Sequence, residues 1–186
     1  MKKPQLKRKK PAGKKKTPQA VPHSKKNKIV GPVIKNILVP VDFSEYSLKA
    51  LRYAASYASI SKAAIHLLHV IEPIIYPSDF AIGQLTFPNI ENELREKAEM
   101  ELLNLSKSDI LRGIPVTTSI KDGIPFVESI AYAKDEKIDL IIISTHGRTG
   151  VEHILFGSTA EKIVRKAPCP VLVVRSDNNG FVDERV

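Results

Sequence analysis

The sequence predicts an α/β fold, specifically a doubly wound five-stranded parallel sheet. Five short runs rich in β-branched residues read as strands, and all but the third are apolar with little alternation, as expected of strands covered on both faces. Helical segments separate them, giving five strands alternating with four helices. With right-handed crossovers, that order builds a parallel sheet with helices on both sides. No internal repeat competes with this reading.

The first strand is Ile37-Leu38-Val39-Pro40-Val41, reached after a long polar lead-in. Asp42-Phe43-Ser44-Glu45 closes it, and Ser44 is placed to cap a helix through Leu48, Leu51, Tyr53, Ala54, Ala55 and Ala58. Ala64 to Val70 forms the second strand. Pro73 to Asn89, with three prolines, a glycine and several aromatics, reads as a long loop or lid. A helix is expected from about Asn92 to Leu111, with Leu94, Ala98, Leu102 and Leu105 on its apolar side. Pro115 to Ile120 is a weaker, alternating strand that belongs at a sheet edge. Pro125 suits the first turn of a helix reaching Lys137. Asp139 to Ile143, the most apolar run, is expected at the centre of the sheet. A loop from Ser144 to Gly157, a helix from Ser158 to about Lys166 and the strand Val171 to Val174 complete the domain.

Charge is distributed unevenly. Residues 1–35 hold 13 Lys or Arg and no acid, so the remaining 16 basic and 20 acidic residues leave 36–186 at −4. The net +9 therefore belongs to the N-terminal segment. That segment is Lys-rich, broken by five prolines and almost without apolar residues, so 1–34 is expected to be a disordered basic tail. The domain should span 35–176, with 177–186 a flexible C-terminal tail. Cys169 has no internal disulfide partner and cannot by itself hold a metal, which suits a reducing compartment. No apolar run approaches the roughly 20 residues of a transmembrane helix, and the N-terminus lacks the apolar stretch of a secretory signal. A soluble, cytoplasmic protein is expected.

In open parallel sheets, ligands settle beyond the carboxyl ends of the strands, where strand order reverses. Candidate residues should therefore follow the first and fourth strands. After the fourth stand Ser144-Thr145-His146-Gly147, nine residues, then Gly157-Ser158-Thr159 opening a helix. Glycines let backbone N–H groups approach an anion, and a helix N-terminus adds unpaired donors at the positive end of its dipole. A glycine-bearing turn without a ligand has the same local pattern. After the first strand, Asp42 fits either a ligand carboxylate or an Asp-Phe-Ser turn leading into the helix. His146 and Arg148 each suit a phosphate contact or an ordinary loop position, while His66 and His69 lack a metal-site spacing.

From Lys35 to Arg175, the loop spacing, Asp42 and the closing Ala167-Pro168-Cys169-Pro170-Val171-Leu172-Val173-Val174 resemble the universal stress protein family. The family's ATP-binding branch carries Gly, two residues, Gly, nine residues, then Gly-Ser or Gly-Thr. Gly147, Gly157 and Ser158 match it, and Ser144 stands where its first glycine would be. The resemblance implies an adenine-nucleotide α-hydrolase-like, Rossmann-like domain that binds ATP or a related adenine nucleotide as a regulatory module. Asp42 would face the ribose. Pro40 and Val70 would line the adenine pocket, and Ser144, Gly147, Gly157, Ser158 and Thr159 would surround the phosphates. Dimerisation through the last strand is implied as well.

The loop has no Gly-Lys-Ser/Thr pattern and no second acid placed for magnesium, so at most slow ATP hydrolysis is expected. No metal or catalytic residue is assigned. A nucleotide-free scaffold is the alternative, with the basic tail holding nucleic acid or an anionic surface by salt-sensitive, sequence-independent contacts.

Overall fold

In the computed structural model of the chain, the described residues are 31–73, 88–147 and 157–175. By internal contacts the chain divides into Met1–Gly31 and Pro32–Val186. The expectations for tail residues 1–30, for the middle of the 73–89 loop, for Arg148 to Phe156 and for 177–186 lie outside the described residues.

The second unit contains β1 (Asn36–Pro40), α1 (Glu45–Ser61), β2 (Ala64–Ile71), α2 (Pro88–Ser106), β3 (Val116–Asp122), α3 (Pro125–Asp135), β4 (Leu140–Ser144), α4 (Ser158–Lys166) and β5 (Val171–Val174). All pairings are parallel, in the order β3-β2-β1-β4-β5. This is the doubly wound sheet expected. The chain first winds outward through α1 and α2, then returns to the other side of β1 and winds outward again through α3 and α4. Right-handed crossovers in the two directions put the two helix pairs on opposite faces. Accordingly, Leu51, Ala54 and Ala58 of α1 and Leu102 of α2 share one core with Ile37, Ile65 and Leu67. Tyr132 and Ala133 of α3 and Ala160 and Ile163 of α4 share the other with Leu38, Leu68 and Ile141. Neighbouring strand residues enter opposite cores because side chains alternate across a strand.

Four sequence expectations need correction. The second helix begins at Pro88, inside the stretch read as loop, because proline suits a helix's first turn. The middle strand is β1, and β4 lies beside it. The helix expected to reach Leu111 ends at Ser106, where Ser106 Oγ donates to the Leu103 carbonyl and Ser108 Oγ to that of Leu105. These side-chain bonds compete with helix continuation, and a 3-10 turn at Asp109–Leu111 follows. The helix expected to reach Lys137 stops at Asp135 because Lys137 takes a left-handed φ of 51°, with the Ile138 N–H closing onto the Ala133 carbonyl. The expected cap of α1 is present: Ser44 Oγ accepts the Ser47 N–H at 3.2 Å. No helix among the described residues is long and apolar enough to cross a membrane.

Candidate functional site

The strand order reverses between β1 and β4, and a cleft of about 520 Å³ opens at their carboxyl ends. That size falls within the roughly 300–1,000 Å³ usual for small-molecule sites. All eight candidate residues line it. Pro40 ends β1, Asp42 follows it and Val70 lies near the end of β2. Ser144 ends β4, Gly147 lies three residues on, Gly157 caps α4, and Ser158 and Thr159 form its first turn. Thus residues more than a hundred positions apart meet because their strands are neighbours.

The Asp42 side is a tight turn. Asp42 Oδ1 accepts the Ser44 N–H at 3.1 Å and the Ser44 hydroxyl at 2.6 Å. Phe43 between them has a φ of 64°, a costly conformation for a bulky side chain. It is held by packing against His69, ring centroids 4.5 Å apart. His69 Nδ1 donates to the Val41 carbonyl at 2.8 Å, which fixes the imidazole beside the turn. The capping turn is present and Asp42 also lines the cleft, with one oxygen serving the turn.

The opposite wall is the β4 loop and α4. Gly157 caps α4 without a side-chain hydrogen bond, and the geometry of a helix start leaves Ser158, Thr159 and Ala160 N–H groups with no intrahelical acceptor. This is the anion-ready end of the dipole. The Gly157 N–H is used within the protein, donating to the Thr145 carbonyl at 2.7 Å, and Thr145 N–H in turn donates to Val174 at 2.9 Å. An added Cβ at Gly157 would lie 3.0 Å from the same Thr145 carbonyl. At Gly147 an added Cβ would lie 2.6 Å from Asp42 Oδ2, so the absence of a side chain there admits the carboxylate. Both glycines thus clear protein atoms.

Ser144 sits in β4 opposite Val174 with no left-handed backbone, and its hydroxyl donates to the His146 carbonyl at 2.6 Å. A serine is accommodated at this position without backbone strain. His146 pairs through Nδ1 with Thr145 Oγ1 at 2.9 Å and packs 5.7 Å from the Tyr46 ring. Arg148 lies outside the described residues. Sequence reasoning missed Phe43, His69 and Thr145, whose places in the cleft depend on turn conformation and strand neighbours. Also missed were Leu94, Lys97 and Glu101, which α2 brings to the outer rim. The expected helix period did flag Leu94, but as a core residue; it is 40% exposed.

His66 lies on the other face of the sheet, buried, with Nδ1 3.1 Å from the Tyr132 hydroxyl. Burial holds its pKa below the ordinary value, against a smaller upward pull from Glu136. The same burial raises Tyr132. Among the described residues, no group of three or more His, Cys, Asp or Glu is arranged to hold a metal ion.

The architecture defines a Rossmann-like α/β domain with its crevice at the switch point. Residues 34–175 match the universal stress protein family, and the chain belongs to that family. It is 34% identical over 157 residues to universal stress protein MJ0577 of Methanocaldococcus jannaschii, covering 78% of this chain and 97% of the relative. The solved structure of MJ0577 superposes with a TM-score of 0.67, covering 79% of this chain and 99% of that one. UspA from Lactobacillus plantarum gives a TM-score of 0.67 at 27% identity, covering 78% and 100% of the two chains. A universal stress protein from Archaeoglobus fulgidus, solved in complex with dAMP, shares the fold at 21% identity with a TM-score of 0.52, covering 76% and 98%.

Proposed function

We propose that this protein is a regulatory module of the stress response that binds ATP or a related adenine nucleotide in the switch-point cleft. The observation that carries this reading is the convergence of Asp42 with the N-terminus of α4, which has no side-chain cap, across a cleft of suitable size. A carboxylate offers acceptors for ribose hydroxyls, and the helix end offers donors to phosphate. Pro40 and Val70 supply apolar surface for the base. The dAMP complex of the Archaeoglobus fulgidus protein supports an adenine ligand for this fold.

The Ser158 and Thr159 amides and hydroxyls take the phosphates beside Gly147 and Gly157, with the backbone of Ser144 at the cleft wall. The protein acts by binding, with at most slow hydrolysis. We further propose a cytoplasmic homodimer joined through β5. The basic tail adds contacts to nucleic acid or anionic surfaces that weaken with salt, read by comparing full-length and tail-deleted protein.

Calorimetric titration of the full chain with ATP tests the cleft. Asp42→Asn keeps an acceptor for Ser44 while replacing the other carboxylate oxygen with an amide. The variant is expected to lose about 1.5–3 kcal/mol of binding free energy, the scale of a charged hydrogen bond. Equal ATP affinity in parent and folded variant contradicts the ribose assignment.

A further inference from the structure

Asp42 selects a ligand best if its carboxylate is held in one pose, and Ser44, which gives it two hydrogen bonds, lies outside the loop motif. Ser44 gives two hydrogen bonds to one carboxylate oxygen, Oδ1, through its N–H at 3.1 Å and its hydroxyl at 2.6 Å. A hydroxyl has one hydrogen. That hydrogen goes to Asp42, so the same oxygen is left to accept the Ser47 N–H at 3.2 Å. Ser44 therefore ties the carboxylate to the first turn of α1. From the far side, the bare Cα of Gly147 leaves Oδ2 a place that a Cβ would invade to 2.6 Å. Between Asp42 and Ser44, the left-handed Phe43 is fixed by its packing on His69. Ser44 thus holds one carboxylate oxygen, and the other occupies space that a side chain at Gly147 would invade.

We infer that Ser44 is a positioning residue for nucleotide recognition, presetting the Asp42 carboxylate so that ribose hydroxyls meet an acceptor already in place. Preorganisation of this kind raises affinity by removing an ordering cost at binding. The inference rests on the nucleotide reading of the cleft and adds to it the device that sets ribose selectivity. Ser44 itself touches no ligand; its effect passes through Asp42.

The test compares ATP with 2′,3′-dideoxy-ATP, which keeps the base and phosphates but offers no ribose hydroxyls. Dissociation constants for both are measured by calorimetry on the full chain, for the parent, Ser44→Ala and Ser44→Thr, with circular dichroism confirming the fold of each. The parent is expected to prefer ATP by on the order of 10-fold, as one charged hydrogen bond provides. Ser44→Ala should weaken ATP by a similar factor while leaving the dideoxy ligand nearly unchanged, so that the preference collapses. Ser44→Thr, which keeps the hydroxyl, should restore it.

A serine that only caps α1 would lower both affinities together and leave the ratio intact. That result, in a folded Ser44→Ala chain, overturns the inference while the nucleotide site stands. A parent chain that binds neither ligand overturns the nucleotide reading and this inference with it. A parent that binds both equally removes the ribose contact and overturns the inference through Asp42. Should Ser44→Ala fail to fold, Gly147→Ala displaces the carboxylate from its other side, and persistence of the ATP preference there is equally contrary.

Discussion

At His66, burial sets a charge state with a consequence for stability. Its imidazole is 8% exposed against Tyr132, and burial lowers its pKa from the ordinary 6.5. Between those two values the unfolded chain binds more proton than the folded one, so stability rises with pH. The contribution is fully present above about 6.5 and is lost as pH falls below it towards the lowered folded value. Thermal unfolding from about pH 8 to about pH 5 should show a steeper loss in the parent than in His66→Gln, which cannot titrate; equal slopes would contradict the assignment. Cys169 illustrates the same physics without a pH switch. Half-buried between two prolines, its thiol is pushed up by burial and by Asp139, which keeps it protonated and suits its place in the turn before β5. The histidines show what a linear reading loses. Spacing suggested no metal role for His66 and His69, and it said nothing of the Tyr132 bond or of the cleft beside Phe43, because both depend on which elements pack together.

At the scale of the element, β5 is the exposed question. It ends the sheet, and Val171, Leu172 and Val173 are only half-buried. Ile141 and Thr145 donate to the carbonyls of Pro170 and Val174, so the alternation of a parallel ladder turns the Val171 and Val173 N–H groups towards the open edge. An apolar edge of this kind is a template for a second copy. Light scattering at tens of micromolar should therefore show a dimer, and Val173→Pro, which removes an outward donor while sparing the β4 pairing, should shift it to monomer. A monomeric parent would contradict the proposal. Most element bounds were readable to within a residue or two, since continuous β-branched runs and proline or serine starts are local signals. The exceptions were the start of α2, which lies at Pro88 inside the stretch read as loop, and ends decided by conformation or by side-chain back-bonding: the left-handed Lys137, and the serines that close α2.

Over the whole molecule, charge and site belong to different parts of the chain. The excess of positive charge lies in residues 1–35, while 36–186 carries −4 and contains the cleft. In the proposed reading, anion binding in the cleft draws on local donors: the α4 amides and hydroxyls, with Lys97 at the rim. The cleft could be placed in sequence because the switch-point rule and the loop spacing both point beyond strands one and four. What sequence could not show is why the glycines are there: Gly147 clears the Asp42 carboxylate and Gly157 the Thr145 carbonyl, contacts made only once β1, β4 and α4 are assembled. The most direct measurement is a titration of ATP into the isotopically labelled full chain, followed by backbone amide NMR. Shifts are expected to concentrate at Gly147, Ser158, Thr159 and Ala160 on the phosphate wall and at Asp42 and Val70 opposite. Saturation with shifts confined to other surfaces, or no shifts at millimolar ATP, would contradict a nucleotide site at this crevice.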